Sequence, residues 1–409
     1  MSRNELIENQ LERYRLDEQE GHLLCISDTT DIYLDTHRGR LKPDGVGFVG
    51  RNSGLGFFIH PTLLVEIDQT EGGRIVGYSS IQIWQRDEIK GTRTSDRYKE
   101  LAIEEKESYK WIRSAAESKE RLPQAQLLTM IGDREADIYE EFARVPDERT
   151  HILIRCCQDR YVADGKKLFE KLEQSAVGGH YEVLLEADQR SGRRKRKACL
   201  QVKWIEVEIT APNRYRGDVK SVRLQAIEAK EIGLNEEEAI CWRLLTTHEV
   251  RTFADARRMI GYYRWRWQIE QMFRVLKRQG LNIEASQLES GEAIKNLCVM
   301  AIPTALRIMQ LVGARDGGTN EEIAEAFTLE ETACLKAILS KVEGKTEKQK
   351  NPYRREKLAW GAWIIARLGG WSGYTSDRPA GVITMKNGLK KFNQYYQGYR
   401  LAREDVCTR

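Results

Sequence analysis

Residues 22–157 switch repeatedly between short apolar runs and charged, helix-prone stretches, and that alternation restricts this part of the chain to a mixed α/β layout. His22 to Ile26 reads as a buried strand ending at Ser27-Asp28-Thr29-Thr30. Residues 57–65 and 73–84 read as two more strands, with Glu71, Gly72 and Gly73 supplying hairpin chemistry between them. A charged helix over 98–119 follows, then a strand over 127–131 closed by Gly132 and Asp133, a helix over 136–144 and a strand over 151–157. Residues 181–185, 198–209, 222–229 and 240–246 alternate in β fashion with short turns and read as a β-rich insertion. From Thr252 onward the pattern is helical, over 252–279, 290–312, 320–343, 356–369 and roughly 387–402.

A chain of 409 residues is long for one hydrophobic core, so two or three domains are expected. Its net charge of +4 excludes a uniformly basic, histone-like protein and an acidic tail protein. It leaves nucleic-acid binding open, because that depends on where the charges sit. No basic-then-apolar signal segment opens the chain. The longest apolar stretch, Leu297 to Leu306, ends at Arg307 and is about half the roughly 20 residues a membrane span needs, so no membrane partner is expected. Eight scattered cysteines with no C-x-x-C pair read as reduced thiols, and the expected location is the cytoplasm.

Gly45, Gly47 and Gly50 match the dinucleotide pattern G-x-G-x-x-G, but a strand follows where the pattern needs a helix, so the segment reads as a loop. Six histidines without metal-ligand spacing read as packing or surface residues. The helix over 252–279 says more. Tyr263, Arg266, Glu270, Arg274 and Lys277 recur every three or four residues and share one face. Alone, that face reads as solvated, with Arg266–Glu270 and Glu270–Arg274 ion pairs. Asp28 and Asp133 alter the balance, since each directly follows an apolar strand, where α/β proteins place ligands. Two strand-end carboxylates and a helical glutamate are what a two-metal phosphoryl-transfer site uses.

Tyr263-x2-Arg266-x3-Glu270-x6-Lys277 is the full Y-(2)-R-(3)-E-(6)-K signature of the bacterial insertion-sequence transposases of family four, the Tn-five-like DDE enzymes. Ser27-Asp28-Thr29-Thr30 resembles that family's first-aspartate motif, and the run from Gly132 to Asp137 resembles its second. Glu107 to Trp111 also resembles a family segment. The resemblance covers about 22–400. It implies an RNase H-like mixed-sheet core with a β-rich insertion and an α-helical C-terminal region. It implies catalytic Asp28, Asp133 and Glu270 holding two Mg²⁺ ions, with Mn²⁺ as a substitute. By analogy Tyr263, Arg266 and Lys277 contact phosphate near the transposon end, Arg134 contacts DNA beside Asp133, and Trp242 and Trp267 are stacking candidates for a flipped base. The partners implied are double-stranded DNA, as transposon ends and target, and a second copy of the chain in the DNA complex. The cell compartment implied is the bacterial cytoplasm, at the nucleoid.

The expected organisation is a helical lead-in (1–20), a first part of the core (21–178), the β-rich insertion (179–250), a closing helix with the catalytic glutamate (251–289) and a helical, dimerising C-terminal region (290–409). Asp28 comes only 27 residues after Met1, ahead of which autonomous relatives carry a DNA-recognition region. The expectation is therefore a truncated transposase with impaired end recognition. It acts either as a cut-and-paste enzyme or as a non-catalytic inhibitor that pairs with a full-length partner; a domesticated nuclease is a third reading. The charge is also unevenly spread. Residues 190–203 hold seven bases and no acid, and 251–278 hold eight bases and two acids, so the rest of the chain is net acidic. Arg193, Arg194, Lys195, Arg196 and Lys197 are thus candidates for the DNA backbone.

Overall fold

The computed structural model describes residues 2–42, 44–50, 54–68, 72–86, 100–185, 195–233, 239–374 and 377–407. Among the described residues, eleven strands form one sheet. In chain order they are β1 (His22–Ser27), β2 (Thr30–Tyr33), β3 (Gly47–Val49), β4 (Gly54–Ile67), β5 (Gly73–Trp84), β6 (Leu127–Gly132), β7 (Thr150–Arg155), β8 (Gly179–Leu185), β9 (Arg196–Thr210), β10 (Ser221–Glu231) and β11 (Cys241–Thr246). Strand β4 pairs antiparallel with β5 on one side and with β1 and β2 on the other. Strand β6 lies parallel to β1, and β7 parallel to β6. The middle of the sheet therefore runs β5–β4–β1–β6–β7, antiparallel across its first three strands and parallel across its last three.

Strand β11 then pairs antiparallel with β7, and β10, β9 and β8 follow outward. The β-rich stretch read from the sequence thus extends the same sheet. Short strands β2 and β3 lie where the sequence reading had no strand, β3 within the Gly-rich loop. Of the G-x-G-x-x-G glycines, Gly47 serves close backbone approach, since a Cβ there would come within 2.2 Å of the Arg86 carbonyl oxygen.

Ten α-helices are described: α1 (Arg3–Leu11), α2 (Tyr109–Arg121), α3 (Tyr139–Arg144), α4 (Leu168–Gln174), α5 (Phe253–Arg264), α6 (Trp267–Arg274), α7 (Gly291–Ala314), α8 (Leu329–Val342), α9 (Leu358–Leu368) and α10 (Val382–Cys407). They cover both faces of the sheet, which is why β1 is apolar at four consecutive positions, Leu23 to Ile26, rather than at alternate ones. Leu24 and Ile26 face the larger core with α1 and α5–α10. Leu23 and Cys25 face the smaller core with α2, α3 and α4. Helix α7 is long and apolar enough to cross a membrane, although most of its apolar window is buried inside the protein. It packs against α1, α9, α10 and β5. It matches the helix expected over 290–312, and Arg307, which ends the longest apolar run, lies 4.2 Å from the centre of the Phe327 ring and 3.0 Å from Glu331.

The single helix expected over 252–279 is three segments. A Thr252–Asp255 capping box starts α5. The backbone N–H groups of Trp265 and Arg266 bond back only three residues, to Tyr262 and Tyr263, and this tightened turn separates α5 from α6. Residues Val275–Gln279 then form a π-helical turn.

Glu141 of α3 is buried in the smaller core with its Oε2 unpartnered, and burial pushes its carboxyl up to about 8. Folding therefore favours the protonated acid. Its contribution is intact below the ordinary glutamate range and is lost as pH rises through about 8. Glu141→Gln is expected to raise the unfolding midpoint at pH 9 and to change it little at pH 5. Thermal scans across that range check this, and a pH-independent difference would refute it.

Candidate active site

Parallel pairing of β1 with β6 runs to Ile26 opposite Ile131. Two residues further along each chain stand Asp28 and Asp133. The register therefore delivers both carboxylates side by side at the same end of the sheet, on strands about 4.8 Å apart. Gly132 makes the turn after β6 possible, because a Cβ there would sit 2.4 Å from the Ala136 Cβ. Asp133 Oδ1 accepts the Glu135 N–H at 2.8 Å and caps that turn. Asp28 Oδ1 accepts the Thr29 N–H at 2.7 Å.

Glu270 reaches this end of the sheet from α6. The link is Arg266, one helical turn earlier. Its Nη1 lies 3.1 Å from Asp28 Oδ2, and its Nη2 donates to Glu270 Oε1. Tyr263 lies under the guanidinium at 5.8 Å, nearly buried, with its hydroxyl unpartnered. The Arg266–Glu270 pair expected from spacing forms. Arg274 turns instead to Gln271 and to the face of Trp267.

The electrostatics follow the geometry. Burial raises the Asp28 carboxyl to about 7, with Asp133 and Glu270 adding to the rise and Arg266 opposing it. Burial also raises Asp133. The three carboxylates thus share a negative potential that Arg266 and, at Asp133, Lys110 balance in part. Hard carboxylate oxygens in such a potential suit a divalent cation such as Mg²⁺. In the conformation described, no three His, Cys, Asp or Glu side chains among the described residues are gathered closely enough to hold a metal ion. The guanidinium stands between two of the three acids.

Other expected contacts are placed differently. Lys277 Nζ bonds Asp31 Oδ1 and Glu284 Oε1, each at 3.1 Å, and the Asp31 carbonyl oxygen at 2.6 Å, so it ties the π-helical turn to β2. Trp242 is half-buried in β11 against the larger core, whereas Trp267 is 52% exposed. Arg134 is exposed on the turn after Asp133. Arg196 donates to the buried Glu231, and Lys197 lies 3.7 Å from Glu182. Lys195 is described and exposed, while Arg193 and Arg194 lie outside the described residues.

Two neighbours escaped the sequence reading as site residues. Lys110 of α2 bonds Glu135 at 2.9 Å and acts electrostatically on Asp133. Buried His60 of β4 bonds the Thr29 hydroxyl at 2.9 Å, beside Asp28. Lys110 falls within the family-like segment from Glu107 to Trp111, which was the available signal; His60 had none beyond its place in an apolar run. Three other histidines pack at the far end of the sheet, where Thr129 Oγ1 lies 2.7 Å from both His22 Nε2 and His248 Nε2, and His151 stacks on His248.

A comparison with known families bears directly on this site. Residues 112–305 match the transposase DDE domain. The matched segment takes in Asp133 and Glu270, and Asp28 precedes it. Among solved structures, the cryo-EM structure of a piggyBac transposase synaptic complex with hairpin DNA aligns over 92% of this chain and 56% of its own, at 10% identity and a TM-score of 0.36. That superposition is too loose to bear on the fold or the chemistry of this chain.

Proposed function

We propose that the chain is a DDE transposase of the insertion-sequence type, cutting DNA at transposon ends and joining the freed ends to target DNA. The level placement of Asp28 and Asp133 on adjacent parallel strands, with Glu270 tied to Asp28 through Arg266, is the observation that carries this reading. The transposase domain match over 112–305 supports it. So does the strand arrangement: in chain order three antiparallel strands (β1, β4, β5) and then two parallel to β1 (β6, β7), with acids after the first and fourth, fit the RNase H-like core that the resemblance implies.

In this mechanism Asp28, Asp133 and Glu270 hold divalent metal. Mg²⁺ bound there supplies Lewis acidity at the scissile phosphodiester and stabilises its attacking and leaving oxygens. Arg266 presents a planar, permanently charged fork suited to a phosphate. Tyr263, packed beneath it, fixes the direction of that fork. Exposed Trp267 offers an aromatic face to an unstacked base, with Arg274 behind it. Half-buried Trp242 serves chiefly as packing. The partners are DNA duplexes, and a second copy of the chain in the DNA complex.

The test is cleavage of a plasmid carrying the sequences that flank the gene, with Mg²⁺ or Mn²⁺. Nicking at the element boundary is expected. Intact plasmid under all metal conditions, with folded protein, would sink the proposal.

DNA affinity is expected to fall steeply with salt. Replacing Arg193, Arg194, Lys195 and Lys197 by glutamine should lower the slope of log affinity against log salt by up to about 0.9 for each phosphate left without its cation. Arg196 is left out because its loss strands the buried carboxylate of Glu231. Binding titrations at several salt concentrations check this, and an unchanged slope counts against it.

A further inference from the structure

Arg266 holds two of the three site carboxylates at once. Its Nη1 is 3.1 Å from Asp28 Oδ2 and its Nη2 donates to Glu270 Oε1. The side chain is mostly buried, lies over Tyr263 and is anchored in the tightened turn between α5 and α6. Lys277, the next base of the same signature, is held away from the acids by Asp31 and Glu284. Lys110 is engaged by Glu135. Among the described residues, the position between Asp28 and Glu270 is therefore filled by one cation, the Arg266 guanidinium, where a divalent ion shared by those acids would bind.

We infer that Arg266 is an exchangeable counter-cation. It keeps the acids paired before metal arrives, and it must release them for metal to bind. A guanidinium released from two carboxylates is a strong phosphate ligand. A DNA phosphate that captures Arg266 thereby removes the competitor, so metal and DNA favour each other's binding. By linkage the coupling runs equally in both directions. This rests on the reading of Asp28, Asp133 and Glu270 as metal ligands, and it adds a built-in restraint: without DNA the chain holds metal weakly.

The experiment measures Mn²⁺ binding to the full chain without DNA, from the electron paramagnetic resonance signal of free Mn²⁺. Removing one positive charge at contact distance from both acids is expected to tighten Mn²⁺ binding at least about ten-fold in Arg266→Met. Arg266→Lys, which keeps the charge but cannot bridge both acids, should fall between. Asp28→Asn should bind Mn²⁺ far more weakly than wild type. If wild type and Asp28→Asn bind alike, the carboxylate reading itself fails. If Asp28→Asn loses Mn²⁺ but Arg266→Met binds no more tightly than wild type, the counter-cation inference alone is overturned. Where Arg266→Met does not fold, Arg266→Lys decides by the same comparison, wild-type affinity overturning the inference.

Discussion

Asp133→Asn is expected to abolish DNA cleavage while leaving the fold intact. Asparagine keeps the shape of the side chain and an oxygen to accept the Glu135 N–H now held at 2.8 Å, so the turn after β6 stays capped. What it loses is the charge that, next to Asp28, makes the site attractive to a divalent cation. Burial already raises the Asp133 carboxyl, so removing its charge is neutral or slightly favourable for stability. Catalysis that leans on metal for several kcal/mol should fall by about a thousand-fold or more. Nicking rates together with thermal unfolding check both halves. A folded Asp133→Asn protein that nicks at the wild-type rate would remove Asp133 from the site. Asp28→Asn and Glu270→Gln carry the same expectation for cleavage.

The largest expected loss of stability lies four residues further on. Asp137 is fully buried. Its Oδ2 accepts the Cys157 and Gln158 N–H groups at 2.7 and 2.9 Å, and its Oδ1 pairs with Arg160, which lies over the Phe142 ring. Asp137→Ala leaves two N–H donors without their acceptor and a largely buried guanidinium without its counter-charge, although Arg160 Nη2 keeps its bond to the residue-137 carbonyl oxygen. Breaking a buried pair from one side costs about 3–5 kcal/mol, a large share of the stability of a typical domain. Denaturant unfolding should show that loss, with Asp137→Asn intermediate because it keeps an acceptor for the N–H groups. The knot also ties the loop after β7 to the turn that carries Asp133, so cleavage should weaken as well. Unfolding of Asp137→Ala at the wild-type denaturant concentration would contradict this.

Much of the sheet was legible because its strands are apolar at consecutive positions or alternate cleanly. Strands β1, β4, β5, β6, β7 and β8–β11 all lie close to where those patterns put them. Strands β2 and β3 were not legible. Each is only three or four residues long, too short to set a period, and owes its form to pairing with β4. Helix α4 was missed for a related reason: its seven residues bury only Leu168 and Leu172, too few to set a period. The break between α5 and α6 was hidden because three-residue and four-residue bonding put side chains on almost the same face.

The candidate acids themselves were written in the chain. Their positions after apolar runs, and the spacing of Tyr263, Arg266, Glu270 and Lys277, depend only on local order, which a sequence carries. Two things waited for the tertiary structure. One is that Asp28 and Asp133 stand level, which follows from a β1–β6 register that pairs residues 105 positions apart. The other is which bases face the acids. By spacing Arg266 and Lys277 are equivalent, yet Arg266 bridges Asp28 and Glu270 while Lys277 is taken up by Asp31 and Glu284. A charge reveals its sign in the sequence, but its partner is whatever the packed chain brings within a few ångströms, and only the fold decides that.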